Sequence, residues 1–248
     1  MIMRLAGKTA IITGGGSGFG EGIAKKFFEE GAKVVVVDID LAAAERVADL
    51  YGGMAFRADV SKMEDWQALA AGLRESFGGV EILVNNAGIT HLPQPMDEVS
   101  EAEFDRVMAV NAKSVYLSAK TIVPMMKEAK SGVILNVAST AGVSPRPNLN
   151  WYNASKGWMI TATKTMAVEL AAFGIRVNAI NPVAGETPLL QSFMGEDTPE
   201  MRAKFIATIP LGRFSTPEDI ANATCFLCSD EASMITGVAM EVDGGRCI

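Results

Sequence analysis

Tyr152 and Lys156 stand four residues apart in Tyr152-Asn153-Ala154-Ser155-Lys156, the spacing that puts two side chains on one face of a helix. A phenol ionises near pKa ~10 and is a poor base at neutral pH. A neighbouring ammonium favours the phenolate, and lowering the phenol by ~3 units takes roughly 4 kcal/mol of favourable local electrostatics. Such a tyrosine can take the proton of an alcohol while a bound cofactor takes a hydride. Taken alone, the same spacing also describes a surface helix pair.

A second group of residues is suited to holding a dinucleotide. Thr13-Gly14-Gly15-Gly16-Ser17-Gly18-Phe19-Gly20 follows an apolar strand pattern and opens a helical one. Glycines there allow backbone N–H groups to approach a pyrophosphate at a helix N-terminus. The spacing Gly14, Gly18, Gly20 differs from G-x-G-x-x-G, and a purely structural turn has the same composition. Eighteen residues beyond Gly20, Asp38 ends the next strand pattern. An acid there accepts hydrogen bonds from the ribose hydroxyls of NAD and repels the 2′-phosphate of NADP. No Arg or Lys lies between Gly14 and Gly20, so NAD is expected over NADP. The alternative for Asp38 is a helix cap, a task Asp40 can equally perform. Asp59 and Val60 are placed at the adenine edge. Asn86-Ala87-Gly88, with Asn85 before it, allows close backbone approach to a ligand.

These groups need a scaffold that brings distant segments to one edge. Strand patterns at Thr9–Thr13, Val34–Asp38, Met54–Asp59, Glu81–Asn85, Gly132–Val137, Arg176–Asn181 and Met240–Asp243 alternate with helical ones. The helices are expected at Gly20–Glu30, Leu41–Tyr51, Lys62–Phe77, Glu101–Lys127, Trp151–Phe173 and Pro217–Ser229. Alternating buried strands and helices imply an α/β, doubly wound Rossmann-type domain over residues 1–248, a parallel sheet with helices on both faces. Its ligands belong at the C-terminal strand ends. Residues 184–216, with Pro188, Pro199 and Pro210 and several large apolar side chains, stand outside the alternation. A connection this long at the ligand end reads as a substrate lid or as a surface packing on a neighbouring subunit.

The 248 residues carry a net charge of −7, which argues against nucleic acid as the main partner. No apolar run is long enough to span a membrane, and the N-terminal apolar stretch is too short for a signal peptide. Three cysteines make no disulfide framework. A cytoplasmic protein is expected.

Taken in order, these motifs resemble the short-chain dehydrogenase/reductase family over nearly the whole chain. The marks are Thr13-Gly14-x-x-x-Gly18-x-Gly20, Asp38, Asp59, Asn85-Asn86-Ala87-Gly88, Asn111, Ser139, Tyr152-x-x-x-Lys156 and Pro182 with Thr187. The resemblance implies that Tyr152 is the general acid/base, with Lys156 its partner and a ligand of the nicotinamide ribose. It further implies that Ser139 orients the substrate oxygen and that Asn111 supports a proton relay through Lys156. Pro182, Val183, Gly185 and Thr187 would meet the nicotinamide, and Ser17 and Phe19 belong to the glycine turn. Two departures stand out: Val183 fills a position usually Gly, with Gly185 where Ile or Val is common, and Phe19 replaces the usual Ile. Val183 is expected to narrow the nicotinamide pocket. A homotetramer is also implied.

The expected reaction is NAD(H)-dependent interconversion of a secondary alcohol and a ketone. A 3-oxoacyl-thioester reductase is the alternative, and a catalytically silent dinucleotide sensor or scaffold is a different class. Thr140, Ala141, Asn148, Asn150, Trp151 and Val183 are the expected substrate walls. His91, the only histidine, is expected to touch substrate or solvent, and no metal site is indicated. Cys225-Phe226-Leu227-Cys228 reads as two core thiols rather than a redox pair.

Overall fold

The computed structural model describes residues 3–248. Seven parallel strands form one sheet: β1 (Thr9–Thr13), β2 (Lys33–Asp38), β3 (Met54–Arg57), β4 (Ile82–Asn85), β5 (Gly132–Val137), β6 (Ile175–Pro182) and β7 (Ala239–Val242). Their order is β3-β2-β1-β4-β5-β6-β7, so the winding reverses between β1 and β4. At that reversal Ile12 pairs with Val36 on one side and Val84 on the other. A crevice opens beyond the strand ends where the order reverses.

Helices cover both faces. On one lie α1 (Gly18–Glu29), α2 (Leu41–Tyr51) and α9 (Pro217–Cys228); on the other lie α3 (Met63–Phe77), α5 (Ser114–Ala129) and α6 (Asn150–Leu170). Period-two alternation divides the strand residues between them. Ile12, Val34 and Val36 pack under α1 and α9, whereas Ile11, Val35 and Val37 pack under α3 and α5. The central strands β1, β2 and β4 are buried on both faces and accordingly consist mostly of apolar residues, whereas the edge strands β3 and β7 are only partly buried.

Most element ends shift by a few residues from the sequence expectation, and two of the differences bear on the site. The stretch 101–127 is not one regular helix. It comprises α4 (Glu101–Met108), a π-helical turn at Ala109–Lys113, and α5. Asn111 lies in this π turn, and its side chain bonds Ile89 and Ser155, partners distant in sequence that helical periodicity does not reveal. β3 ends two residues early: Ala58 N–H still donates to the Asp38 carbonyl of β2 (2.9 Å), but Asp59 N–H leaves the sheet for the Asp65 carboxylate (2.7 Å). No helix among the described residues is long and apolar enough to cross a membrane.

Residues 184–216 carry two short helices, α7 (Leu190–Met194) and α8 (Pro199–Ile206). Their stems are tied together where Glu186 N–H donates to Ser215 O (2.9 Å) and Ser215 N–H to Ala184 O (3.2 Å). Leu190, Met194, Ile209 and Phe214 bury themselves around Val183 as a separate apolar cluster.

Candidate active site

A cleft of about 490 Å³ runs along the C-terminal strand ends, from Asp38 and Asp59 past Gly14 and Gly88 to Ser139, Tyr152 and the excursion. Its first wall is the turn from β1 into α1. Gly14 has φ +61°, a left-handed conformation that favours glycine. Asn86 Nδ2 donates to the carbonyls of Thr13 (2.8 Å) and Gly14 (3.1 Å), and Thr13 Oγ1 accepts from the N–H groups of Asn86 and Ala87 (both 3.0 Å). These bonds join the β1 and β4 loops into one backbone surface. Gly20 does not line the cleft. It lies beneath the turn, where a Cβ would overlap the Gly14 carbonyl and approach Asn86 Nδ2.

Asp40, not Asp38, caps α2, accepting from Ala43 N–H at 3.3 Å. Asp38 is thereby released to the cleft, where its carboxylate accepts from Gly16 N–H (2.9 Å) and Asp40 N–H (3.1 Å). One cation absent from the sequence reading comes close. Arg46 donates to Gly16 O at 2.9 Å, but its fork is held by both oxygens of Glu21 at 2.8 and 2.7 Å. Asp59 and Val60 line the same end of the cleft, as do Ser17, Gly18 and Phe19.

Tyr152, Lys156 and Ser139 come together at the other end. Tyr152 and Lys156 are buried on one face of α6, and Lys156 Nζ donates to Val137 O (2.9 Å). Ser139 follows β5, and its hydroxyl accepts from Ala141 N–H (3.1 Å) while lying against the Tyr152 phenol. The phenol is not lowered as the sequence suggested. Burial pushes Tyr152 up to about 12, opposed by the Ser139 hydroxyl, and burial pulls Lys156 down to about 8. Desolvation disfavours both charged forms, and here it outweighs the stabilisation expected from the pair.

Asn111 does not line the cleft. Its Oδ1 accepts from Ile89 N–H (2.9 Å), and its Nδ2 donates to Ile89 O (2.9 Å) and Ser155 Oγ (3.0 Å). Ser155 Oγ in turn donates to Tyr152 O (2.7 Å). Asn111 thus clamps the Gly88–Ile89 backbone to α6 beside Tyr152.

Pro182, Val183, Gly185 and Thr187 close the remaining side of the cleft. The two sequence departures here form one packed pair. A Cβ at residue 185 would overlap the Phe19 ring, so the larger residue at 19 fills the space that glycine leaves at 185. Val183 does more than narrow the pocket, because it is the seat of the apolar cluster of the excursion. From that excursion Phe193 places its ring edgewise on Tyr152, with centroids 5.1 Å apart.

Of the expected substrate walls, Thr140, Ala141 and Val183 line the cleft, but Asn148, Asn150 and Trp151 do not. Trp151 turns outward, its Nε1–H donating to Met96 O (3.1 Å) and its ring meeting Phe104 edge-on. The helical step of about 100° per residue carries it away from the face of Tyr152. His91 touches neither cleft nor solvent. It is buried, with Nδ1 2.8 Å from Leu92 O and Nε2 without a partner among the described residues. Cys225 and Cys228 are both buried in α9, and burial pushes the Cys228 thiol up. Phe193 and Phe205, from the excursion expected to act as a lid, do line the cleft, whereas sequence reading missed Arg146 and Leu149. Their only signal was basic or apolar character in the segment just before α6.

Comparison with known proteins places this geometry. A family model described as enoyl-(acyl carrier protein) reductase matches residues 14–246. The 4-formylbenzenesulfonate dehydrogenase of Comamonas testosteroni is 49% identical, covering 99% of this chain and 100% of its own. The 2-(S)-hydroxypropyl-CoM dehydrogenase 3 of Xanthobacter autotrophicus is 41% identical, covering 99% and 98%. A crystal structure of 3-ketoacyl-(acyl-carrier-protein) reductase from Brucella melitensis complexed with NADH superposes with a TM-score of 0.94 at 54% identity, over 98% of this chain and 100% of that one. The full-length matches to dehydrogenases and the shared sheet lead to one conclusion: the chain belongs to the short-chain dehydrogenase/reductase family of oxidoreductases.

Proposed function

We propose that this protein transfers hydride between a nicotinamide dinucleotide and a small alcohol or ketone, with Tyr152 as the general acid/base. The observation that carries this reading is the buried convergence of Tyr152, Lys156 and Ser139 at one end of a cleft whose other end is lined by Asp38 and the glycine turn. The cleft fits such a cofactor because close backbone approach is built into it. A Cβ on Gly88 would lie 3.2 Å from Lys156 Nζ, and one on Gly14 3.0 Å from Ala87 Cα. NAD, when bound, supplies the hydride acceptor and, in its oxidised form, a positive charge on the nicotinamide ring. The chain's own groups do the rest. Ser139 donates to or accepts from the substrate oxygen, Tyr152 exchanges the hydroxyl proton, and Lys156 bears on the phenol from the same helix face. Asn111 holds Gly88–Ile89 in place, and residues 184–216 act as a lid that excludes water.

NAD is the coenzyme this cleft favours over NADP. The Asp38 carboxylate occupies the strand end, and Arg46, the cation beside the glycine turn, is neutralised by Glu21. Comparing the two coenzymes at saturating substrate tests this, and a preference for NADP defeats it. Substrates named for the relatives range from a formylbenzenesulfonate to a hydroxypropyl-CoM and a 3-ketoacyl carrier protein, and the names assign none here. A 3-oxoacyl-thioester reductase is the second reading, supported by the 54% identity to the Brucella melitensis protein. Exposed Tyr116, Trp158, Val168 and Phe173 on and beside α5 and α6 support a homotetramer, which light scattering checks.

The decisive experiment is Tyr152→Phe. Turnover is expected to fall by at least about a hundredfold, the usual scale of general acid/base catalysis, while NADH binding by fluorescence stays within about twofold of wild type. Near-wild-type turnover in this variant overturns the proposed role.

A further inference from the structure

The cations around the cleft are of two kinds. Arg46, Arg202 and Arg213 are each matched by carboxylates, from Glu21, from Asp197 and Glu186, and from Asp219. At the opposite end of the sheet, away from the cleft, Arg176 has no carboxylate, but its donors are satisfied by the carbonyls of Leu227, Ser229 and Ile235. Arg146 has neither. It lines the cleft, forms no ion pair among the described residues, and makes one side-chain hydrogen bond, from Nη2 to Thr208 Oγ1 at 3.0 Å. A guanidinium has five N–H donors in a planar fork, so most of this one is uncommitted.

Its surroundings concentrate positive charge rather than dissipate it. The guanidinium carbon sits 4.1 Å from the Phe205 ring centroid, a cation–π contact that uses none of its N–H donors. Arg246, likewise without a carboxylate, donates to Ser144 Oγ at 3.0 Å, and Ser144 lines the cleft. Partial burial, and then the charge of Arg246, hold the Arg146 guanidinium below its ordinary value. A chain of net charge −7 repels anions at long range, so a locally unmatched pair of arginines at a cleft is a specific attraction.

The position is also fixed relative to the chemistry. Asn153, next to Tyr152, donates from Nδ2 to Arg146 O at 2.7 Å. The arginine loop is thus anchored to α6 beside the proposed acid/base. Leu149, Val183, Phe193 and Phe205 line this part of the cleft with apolar surface, Phe193 against Tyr152 and Phe205 against Arg146.

Resting on the hydride-transfer reading above, we propose that Arg146 is a specificity residue that binds a terminal oxyanion, carboxylate or sulfonate, on the substrate. Arg246 adds charge without reaching the cleft itself. The preferred substrate is an alcohol or ketone whose reacting carbon and anionic end are separated by an apolar spacer.

Binding and turnover test this separately. Calorimetry on the protein–NADH complex uses benzenesulfonate and benzoate as anionic probes and benzyl alcohol as the neutral one. Wild type is expected to bind at least one anion about tenfold or more tightly than the neutral probe. Arg146→Ala should weaken that anion about tenfold to a hundredfold, the range for a charge-assisted hydrogen bond, with partial recovery in Arg146→Lys. With NAD, the kcat/KM ratio of 4-(1-hydroxyethyl)benzenesulfonate or 4-(1-hydroxyethyl)benzoate to 1-phenylethanol should fall by a similar factor in Arg146→Ala. An unchanged ratio, with both values lowered alike, means that Arg146 only latches Phe205 and Thr208, and it overturns the inference. So does wild type that binds the anions no better than benzyl alcohol. Anion binding that survives without any turnover counts against the hydride-transfer reading and leaves the oxyanion site standing.

Discussion

At Thr13–Gly20 the cleft wall is backbone, pinned by Asn86 and Thr13 and packed too closely for a side chain at Gly20. Across the cleft, residues 184–216 form a wall of side chains. They rest on Val183 and meet the rest of the molecule through Phe193 on Tyr152 and through Arg146 on Phe205 and Thr208. On the proposed reading, the first wall meets groups common to every dinucleotide, and the second meets the substrate. Close backbone packing tolerates little change, whereas a peripheral apolar cluster can be re-cut without disturbing the sheet. Lys156 belongs to the first wall through Val137 and Gly88, and Tyr152 meets the second through Phe193. α6 therefore joins them.

The widest separation between the walls should appear in glycine substitutions. Gly20→Ala forces a methyl onto the Gly14 carbonyl and is expected to cost at least about 3 kcal/mol, with loss of NADH binding. Gly195→Ala in the excursion meets no neighbour and bears only the strain of φ +78°, about 1 kcal/mol. Denaturant titration and NADH fluorescence on both variants check this, and equal effects erase the distinction.

Lys156→Met probes the junction. Its ordinary value near 10.5 is lowered by burial to about 8. Below pH 8 the lysine is charged in both the folded and unfolded states, and the folded state bears the full cost of the buried charge. Between these values only the unfolded chain holds the proton, so wild-type stability rises with pH. The variant should be inactive yet more stable at pH 7, on the order of 2 kcal/mol. That gain should shrink as pH climbs from 8 toward 10.5. A variant less stable at pH 7 contradicts the burial effect.

A smaller effect ties the walls directly. Gly185→Val alone drives a side chain into the Phe19 ring and should cost about 2 kcal/mol. Combined with Phe19→Ile, it should recover about 1 kcal/mol or more as coupling in a double-mutant cycle. Additive effects would show the two departures to be independent.

Much of the first wall was legible in the sequence because its signals are local. A strand pattern, a glycine run and an acid at the next strand end lie within 30 residues, and sheet topology brings their ends together. Asp38 was ambiguous until Asp40 proved to be the cap, a matter of one side-chain rotation. The second wall was legible as a segment, residues 184–216, but not in its contacts. Trp151 adjoins Tyr152 in sequence but points elsewhere, while Arg146 reaches the cleft from outside the excursion and meets Phe205 there. His91 invited a site role by its position after Gly88, yet the chain buries it away from the cleft.

The sequence by itself determined the alternation of strands and helices that implies a parallel sheet, and the Tyr152–Lys156 face, since periodicity and residue type act over a few neighbours. Tertiary structure alone decided the electrostatics of that pair, the π turn that aims Asn111, the Phe19–Gly185 fit and the unmatched charge of Arg146. Each depends on desolvation or on contact between residues far apart in the chain, and such distances are set only when the chain closes on itself.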